Sequence, residues 1–242
     1  MQERRAVHLL IRDLADKKLT VRVEAERKLK LLGVKAAGDL ILALENRHLA
    51  VTTMPAEKNE VARARAARVL GAIGGKRPAP HLMRALGEKN ALVQRAVIGA
   101  LGDLRHKPAV PDLIKLSADA NAEVAAAAVR ALGNIGDRAA LKTLLGVLTS
   151  SGALKKKYDH DTDVSLVRSA AAFALGMLGD TAAVPELLKA LRDPDRRVRQ
   201  HADLALRAMS GRNVRFKASA PEAERERAAK VWEAWWEAKL NK

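Results

Sequence analysis

An all-α fold of stacked helical hairpins is predicted by three features of the 242-residue sequence. First, a phrase recurs: Leu70-Gly71, Leu101-Gly102 and Leu132-Gly133 lie 31 residues apart, and Val167-Arg168 returns as Val198-Arg199 after another 31. A fixed period of this size marks a repeat array, in which each unit buries its apolar face against the next. Second, each period holds two stretches with apolar residues at helical spacing, such as "VRSAAAFALGMLG" (167–179) and "AVPELLKAL" (183–191). Third, the apolar content of 48 % is mostly Ala, Leu and Val, with Phe173, Phe216, Tyr158 and three Trp as its aromatics. That composition suits closely packed helices.

Taken in order, each hairpin has its own punctuation. Gly136 and Gly179 suit helix C-termini, and Asp137 and Asp180 after them suit N-caps, where a carboxylate accepts orphan backbone N–H groups. Gly71, Gly102, Gly133 and Gly176 fall inside helices, where each costs about 1 kcal/mol against Ala. Such a cost makes sense where a neighbouring helix must approach closely. The full pattern, L-x-x-A-L-x-D-x-x-x-x-V-R-x-x-A-A-x-A-L-G-x-I-G over about Ala6 to Met209, resembles HEAT repeats, in the short form also seen in the phycobilisome-lyase-like branch. The resemblance implies a right-handed α-solenoid of about six hairpins, at 3–33, 36–74, 78–105, 109–136, 139–179 and 182–210, within a repeat domain spanning 1–211. It also implies that the first helix of each pair is convex and the V-R-x-x-A-A helix concave.

Two hairpins carry extra residues. Leu191 precedes Val198 by seven, whereas 19 residues separate Leu148 from Val167 and 18 separate Leu44 from Ala62. The insertions, about 46–60 and 150–163, occupy equivalent turns and so belong to one edge of the stack. Lengthening a surface turn adds little closure entropy. The second, "SSGALKKKYDHDTD", reads as a solvated loop with Thr162 or Asp163 capping the next helix. Beyond Gly211 a basic linker (212–220) leads to a Trp-rich helix (221–242), which Ser219 and Glu222 would open as a capping box. Trp232, Trp235, Trp236, Ala228, Ala229 and Leu240 form its apolar stripe, and the helix is read as a cap over the sixth repeat.

There are 44 basic and 28 acidic residues, a formal +16, so the field favours anionic partners. The absence of cysteine excludes disulfides, thiolate metal sites and cysteine nucleophiles. No apolar run is long enough to span a membrane and no signal peptide is visible, which favours the cytoplasm. Asp159, His160, Asp161 and Asp163 begin like an EF-hand loop. However, Val164 stands where its glycine belongs and Ala170 where its bidentate Glu belongs. The six histidines are scattered, and no nucleophile elbow, phosphate loop or dinucleotide fingerprint occurs. The expectation is therefore a protein with no catalytic residue, metal or cofactor.

The binding expectation rests on concave register. The position between the A-A pair and A-L-G holds Arg27, Arg68, Gly99, Arg130, Phe173 and Leu204, with Arg65 one turn earlier and Arg95 adjacent. On the family geometry, Arg27, Arg65, Arg68, Arg95 and Arg130 form a basic stripe that gives way to Phe173 and Met177. Neighbouring acids are the alternative partners of these arginines. A second series, Arg22, Arg63, Arg168 and Arg199, follows the V-R motif, and the resemblance implies structural bonds to acids such as Asp16 and Asp193. The leading expectation is a non-catalytic scaffold that takes an acidic peptide or protein segment in the concave groove, with Lys155, Lys156, Lys157 and Tyr158 contributing from the inserted edge. The second is sequence-independent binding of duplex nucleic acid, supported by 11 basic against 4 acidic residues in 61–120 and by Arg212, Arg215 and Lys217. The third is an enzyme related to HEAT-like DNA glycosylases or bilin lyases, for which no motif position transfers.

Overall fold

The computed structural model describes residues 2–241, with side chains from Arg4 onward. Met1 and Lys242, at the outer bounds of the domains read from sequence, lie outside the described residues. Among the described residues every regular element is helical, and the fold is an all-α repeat solenoid. Its hairpins fall into two compact units, Met1–Ala109 and Val110–Lys242. The first contains α1 (Gln2–Asp13), α2 (Leu19–Leu32), α3 (Val34–Leu44), α4 (Leu49–Thr52), α5 (Ala56–Ile73), α6 (Ala79–Arg84) and α7 (Ala91–Asp103). The second contains α8 (Val110–Leu116), α9 (Ala122–Ile135), α10 (Leu141–Thr149), α11 (Ser151–Lys157), α12 (Asp161–Leu178), α13 (Val184–Ala190), α14 (Arg196–Ser210) and α15 (Glu222–Leu240).

The second helices of successive hairpins pack directly on one another: α5 on α7 in the first unit, and α9 on α12 and α12 on α14 in the second. Small residues permit this. A Cβ built on Gly133 would stand 2.5 Å from the Ala174 Cα, and one on Gly71 would stand 2.7 Å from the Ala100 Cα. Since the opposing atoms are backbone, a methyl group there separates whole helices. Gly133→Ala is thus expected to destabilise the second unit by about 1–3 kcal/mol, although Ala is the better helix former. Gly99 has nothing within 4 Å of its virtual Cβ. Gly99→Ala should stabilise by about 0.5–1 kcal/mol. Equal melting temperatures for the two variants would contradict this account.

The hairpins share a second device. Arg63 Nε donates to the Leu44 carbonyl at 2.9 Å, and Arg168 Nε donates to the Leu148 carbonyl at 2.9 Å. In the third hairpin Gln94 Nε2 makes the equivalent bond to the Leu86 carbonyl, also at 2.9 Å. Each bond ties the second helix to the carbonyl end of the first, where backbone acceptors lack intrahelical partners. Arg22 bonds the Asp16 and Lys17 carbonyls, so it is the main chain at Asp16, not its carboxylate, that is held. Arg168 also pairs with the buried Asp193 carboxylate at 2.5 Å.

Asp137 and Asp180 cap their turns, accepting from the Ala139 and Ala182 amides. Gly136 and Gly179 end α9 and α12 in left-handed conformation. Three local expectations are corrected. Pro221, with ψ of 151°, is the N-cap of α15, which places Glu222 at its first position. No capping box with Ser219 forms. Neither Thr162 nor Asp163 caps α12, because the helix already begins at Asp161 behind His160, and its acids sit in the first turn. There they favour the positive end of the helix dipole. The apolar stripe of α15 is narrower than read: Ala229 and Trp232 are buried, whereas Leu240 is exposed.

The inserted segments are also more ordered than a solvated loop. Ser151–Lys157 is helical, with Leu154 and Tyr158 buried. The Tyr158 hydroxyl donates to the Asp119 carbonyl at 2.8 Å, and the Lys157 ammonium bonds the Ala118 carbonyl. The insertion therefore folds back on the equivalent turn of the preceding hairpin, whose carbonyls are open acceptors. In the first unit, Asn59 crosses the other insertion to Asn46 Oδ1 at 2.7 Å and the Val51 carbonyl at 3.1 Å. His48 caps α4 by accepting from the Ala50 amide at 3.2 Å.

Burial holds His48 below its ordinary pKa, with the neighbouring Asp39 raising it and His8 lowering it further. A depressed folded-state pKa gives stability that is present above the unfolded value and lost as pH falls through the folded one. Melting temperature should accordingly fall between about pH 8 and about pH 5, and less so in His48→Asn, whose amide oxygen can still cap. An identical fall in the variant would assign the acid sensitivity to other groups.

Candidate functional site

The six residues expected to line one groove fall into two sets, Arg27, Arg65, Arg68 and Arg95 in the first unit and Arg130 and Phe173 in the second. Local acids engage two of the arginines. Arg27 makes a two-pronged bond to Glu24, with both contacts at 2.8 Å, and lowers that carboxyl to a pKa of about 2. Arg65 pairs with Glu26 across α2 and α5, each side chain largely shielded. As a ligand-binding residue Arg65 is therefore corrected: Glu26, one turn from Arg22 on α2, already satisfies its guanidinium.

Arg68 is placed differently. It is exposed on α5, and no hydrogen bond or ion pair joins it to another side chain. With the exposed Lys30 of α2 it acts on the carboxyl of Asp103 at the end of α7. Partial burial pushes that carboxyl up, and the two cations offset only part of the rise. Lys30 and Arg68 thus both lie within electrostatic reach of one carboxyl. Arg95 is half-buried on α7 and has a partner of its own.

In the second unit Arg130 is exposed on α9 and also has a partner. Phe173 is half-buried and meets the His201 ring edge-on, with centroids 6.0 Å apart. Burial holds His201 below its ordinary pKa, opposed by the Arg197 carbonyl and reinforced by Arg130. Met177 and Leu204 are exposed. The face thus sets apolar side chains and an imidazole of depressed pKa within reach of the Arg130 cation. Sequence register puts His201 one turn before Leu204 on nearly the same face, though not among the expected contact residues.

On the inserted segment, Lys155 and Lys156 are exposed, Lys155 lying 3.3 Å from Asp161. Tyr158 is corrected as a contact residue, because its ring is buried and its hydroxyl engaged. Asp159 and His160 are exposed, and among the described residues no group of three or more His, Asp or Glu is arranged to hold a metal ion. No described helix is long and apolar enough to cross a membrane.

The last helix contributes a feature that the sequence showed only as a stripe. Trp232 is fully buried, and its Nε1 donates to Asp203 Oδ1 of α14 at 3.0 Å. Arg192 bridges from the end of α13 to Glu226 and Glu233 of α15, both at 2.7 Å. Arg199 binds the Ala218 carbonyl, and Arg207 binds the Val214 carbonyl and Asn213. The linker is thereby fastened to α14 along its length.

A profile described as HEAT repeats matches residues 51–122, 79–157 and 153–223. No curated protein matches the sequence. Among solved structures, human deoxyhypusine hydroxylase is similar at 19 % identity over 97 % of this chain and 96 % of that one, with a TM-score of 0.42. The complex of CpcE and CpcF of phycocyanin lyase from a Nostoc species is similar at 21 % identity over 94 % of each chain, with a TM-score of 0.47. A designed armadillo repeat protein in complex with the peptide (KR)4 is similar at 17 % identity over 84 % of this chain and 99 % of that one, with a TM-score of 0.46. These likenesses concern the fold alone.

Proposed function

Because the chain belongs to the HEAT-repeat family, whose profile covers most of its length, we propose that it is a non-catalytic interaction scaffold holding an acidic protein segment against its second helices. The observation that carries this reading is the pair Lys30 and Arg68. Two exposed cations on neighbouring helices both act on the Asp103 carboxyl, two positive charges against one negative. α2 packs on α5, and the Arg65–Glu26 pair fastens the two helices, so a ligand carboxylate meets Lys30 and Arg68 on a prearranged scaffold. Arg27 and Arg65 are taken up by local acids, Arg27 by Glu24 within α2 and Arg65 by Glu26 across α2 and α5. The formal +16 draws anionic partners from a distance, and the short-range pair selects among them.

The test is fluorescence anisotropy with a labelled glutamate-rich peptide and a labelled DNA duplex, at low and near-physiological salt. Lys30→Glu with Arg68→Glu is expected to weaken peptide binding about tenfold or more. Its melting temperature should change little, because both side chains are exposed. Undiminished peptide binding by the variant defeats the reading. Tight duplex binding at physiological salt, with a salt slope that the variant reduces, would replace the acidic segment by a phosphate backbone.

A further inference from the structure

The fastened linker and α15 flank an open, shallow cleft. Its floor is Val231, half-exposed, with Ala228 toward the linker and Ala234 and Trp235 toward the C-terminus. Two adjoining hollows of about 600 Å³ and 410 Å³ meet at Val231 and Arg212, so the cleft is continuous. Four cations rim it: Arg212, Arg215, Arg227 and Lys230. Against them stands one lining acid, Glu224. Among the described residues no hydrogen bond or ion pair occupies the side chains of Arg212, Arg215 or Arg227, whereas nearby Arg192, Arg199, Arg207 and Arg225 are all engaged by the protein itself.

Arg212, Arg215 and Arg227 have no such structural work, and Lys230 acts on Glu226 one turn earlier in α15 without a direct bond. Arg225 and Arg227 are two apart on one helix, yet Arg225 binds the Ala220 carbonyl while Arg227 faces the cleft. An apolar floor ringed by unengaged cations complements a ligand with an apolar centre and anionic flanks. We propose that this cleft docks an acidic protein segment that seats one aliphatic or aromatic side chain on Val231, with carboxylates before and after it meeting Arg212, Arg215, Arg227 and Lys230.

Charge complementarity combined with the apolar floor selects this occupant. A nucleic-acid strand would need a free aromatic face for its bases. Trp235 is turned into its own cluster, edge-on to Trp232 at 5.6 Å and tilted on Trp236 at 5.8 Å, with the Lys239 ammonium 5.7 Å from its ring. A bilayer surface engages several projecting apolar groups together, whereas Val231 is the one exposed large apolar side chain of this lining. A side chain entering the cleft removes apolar area from water on both partners, and the wall needs no ordering because Arg207 already holds it. The inference shares no residue with the Lys30 and Arg68 face, so each can fail alone.

The experiment uses the full chain and two labelled peptides of about twelve residues, one glutamate-rich with a central Leu-Phe pair and one with that pair replaced by serines. Binding is followed by anisotropy at near-physiological salt, with Arg227→Glu/Lys230→Glu and Lys30→Glu/Arg68→Glu variants in parallel. The expected result has three parts. The Leu-Phe peptide binds about fivefold or more tighter than the serine peptide. The α15 variant loses about tenfold for the Leu-Phe peptide. Trp fluorescence shifts on binding in the wild type but not in that variant. Equal affinity for the two peptides, or indifference to Arg227→Glu/Lys230→Glu, overturns the proposal. Loss only in Lys30→Glu/Arg68→Glu removes the cleft and leaves the α2–α5 face standing. Displacement of the peptide by single-stranded DNA, or by phosphatidylserine vesicles that also lose binding to the α15 variant, reassigns the cleft to that competitor and overturns the proposal as well.

Discussion

Trp232→Ala is expected to cost about 3–5 kcal/mol in the second unit through the cavity it leaves. A further penalty falls on Asp203, whose buried carboxylate loses the indole N–H as a donor. Only the Arg207 bond at 2.7 Å then remains to it from a side chain. Trp232→Phe separates the two contributions, since it retains most of the volume and removes only the donor. Burial pushes the Asp203 pKa up, and the Trp232 and Arg207 bonds hold it down. A raised folded-state pKa gives stability that is present below the unfolded value and lost as pH rises through the folded one. Loss of the indole bond raises that pKa further. The deficit of Trp232→Phe relative to wild type should therefore be largest at neutral pH and shrink as pH approaches the carboxylate range, about pH 4. Urea titrations monitored by circular dichroism at both pH values decide the matter, and a deficit independent of pH would remove Asp203 from the account. A soluble Trp232→Ala protein of unchanged stability would mean that α15 is not a cap.

Arg168→Met is expected to be comparably severe, about 3–5 kcal/mol, because it strands a buried carboxylate. Asp193 is almost fully shielded, and once the guanidinium is gone its carboxylate keeps the Asp195 amide at 2.9 Å and the longer-range charge of Arg199. The Leu148 carbonyl loses its donor in the same substitution. Adding Asp193→Asn should recover part of the loss, since an amide is far cheaper to bury than an unpaired charge. A single variant that costs under about 1 kcal/mol, or a double variant no better than the single, would show that the pair contributes nothing beyond its packing.

The contrast between these two residues explains what could be read from sequence. The period, the hairpin punctuation and the close-approach glycines depend on spacing along the chain, and spacing is what a sequence displays. Asp137, Asp180, Gly136 and Gly179 were legible because a cap is a local object of a few residues. The fate of individual arginines was not. Arg65 and Arg68 are three apart on α5 with the same chemistry, yet one pairs directly with Glu26 on α2 and the other acts on Asp103 of α7 only from a distance. That difference lies in the lateral offset between packed helices, which no single stretch encodes. Tyr158 misled for a related reason. Amid "KKKYDHD" it reads as a solvated residue, but the acceptor for its hydroxyl is 39 residues earlier, at Asp119. The cleft beside α15 was hidden because its near wall is irregular chain, although Arg227, Lys230 and Val231 do recur at i, i+3 and i+4.

The bond from the second helix to the end of the first bears on how such a chain can be lengthened. It closes over 8 residues in the hairpin of Gln94, over 19 in that of Arg63 and over 20 in that of Arg168, at 2.9 Å each time. Geometry at the closing bond is indifferent to the contour length between its ends, so the turn works as a port into which sequence can be spliced without transmitting strain to the stack. Arg63 and Arg168, with their second prong to Glu88 and Asp193, stand at the two ports already in use. The unused port, between Gly87 and Asn90, is the natural place to graft a foreign epitope or recognition loop, with Gln94 as its latch.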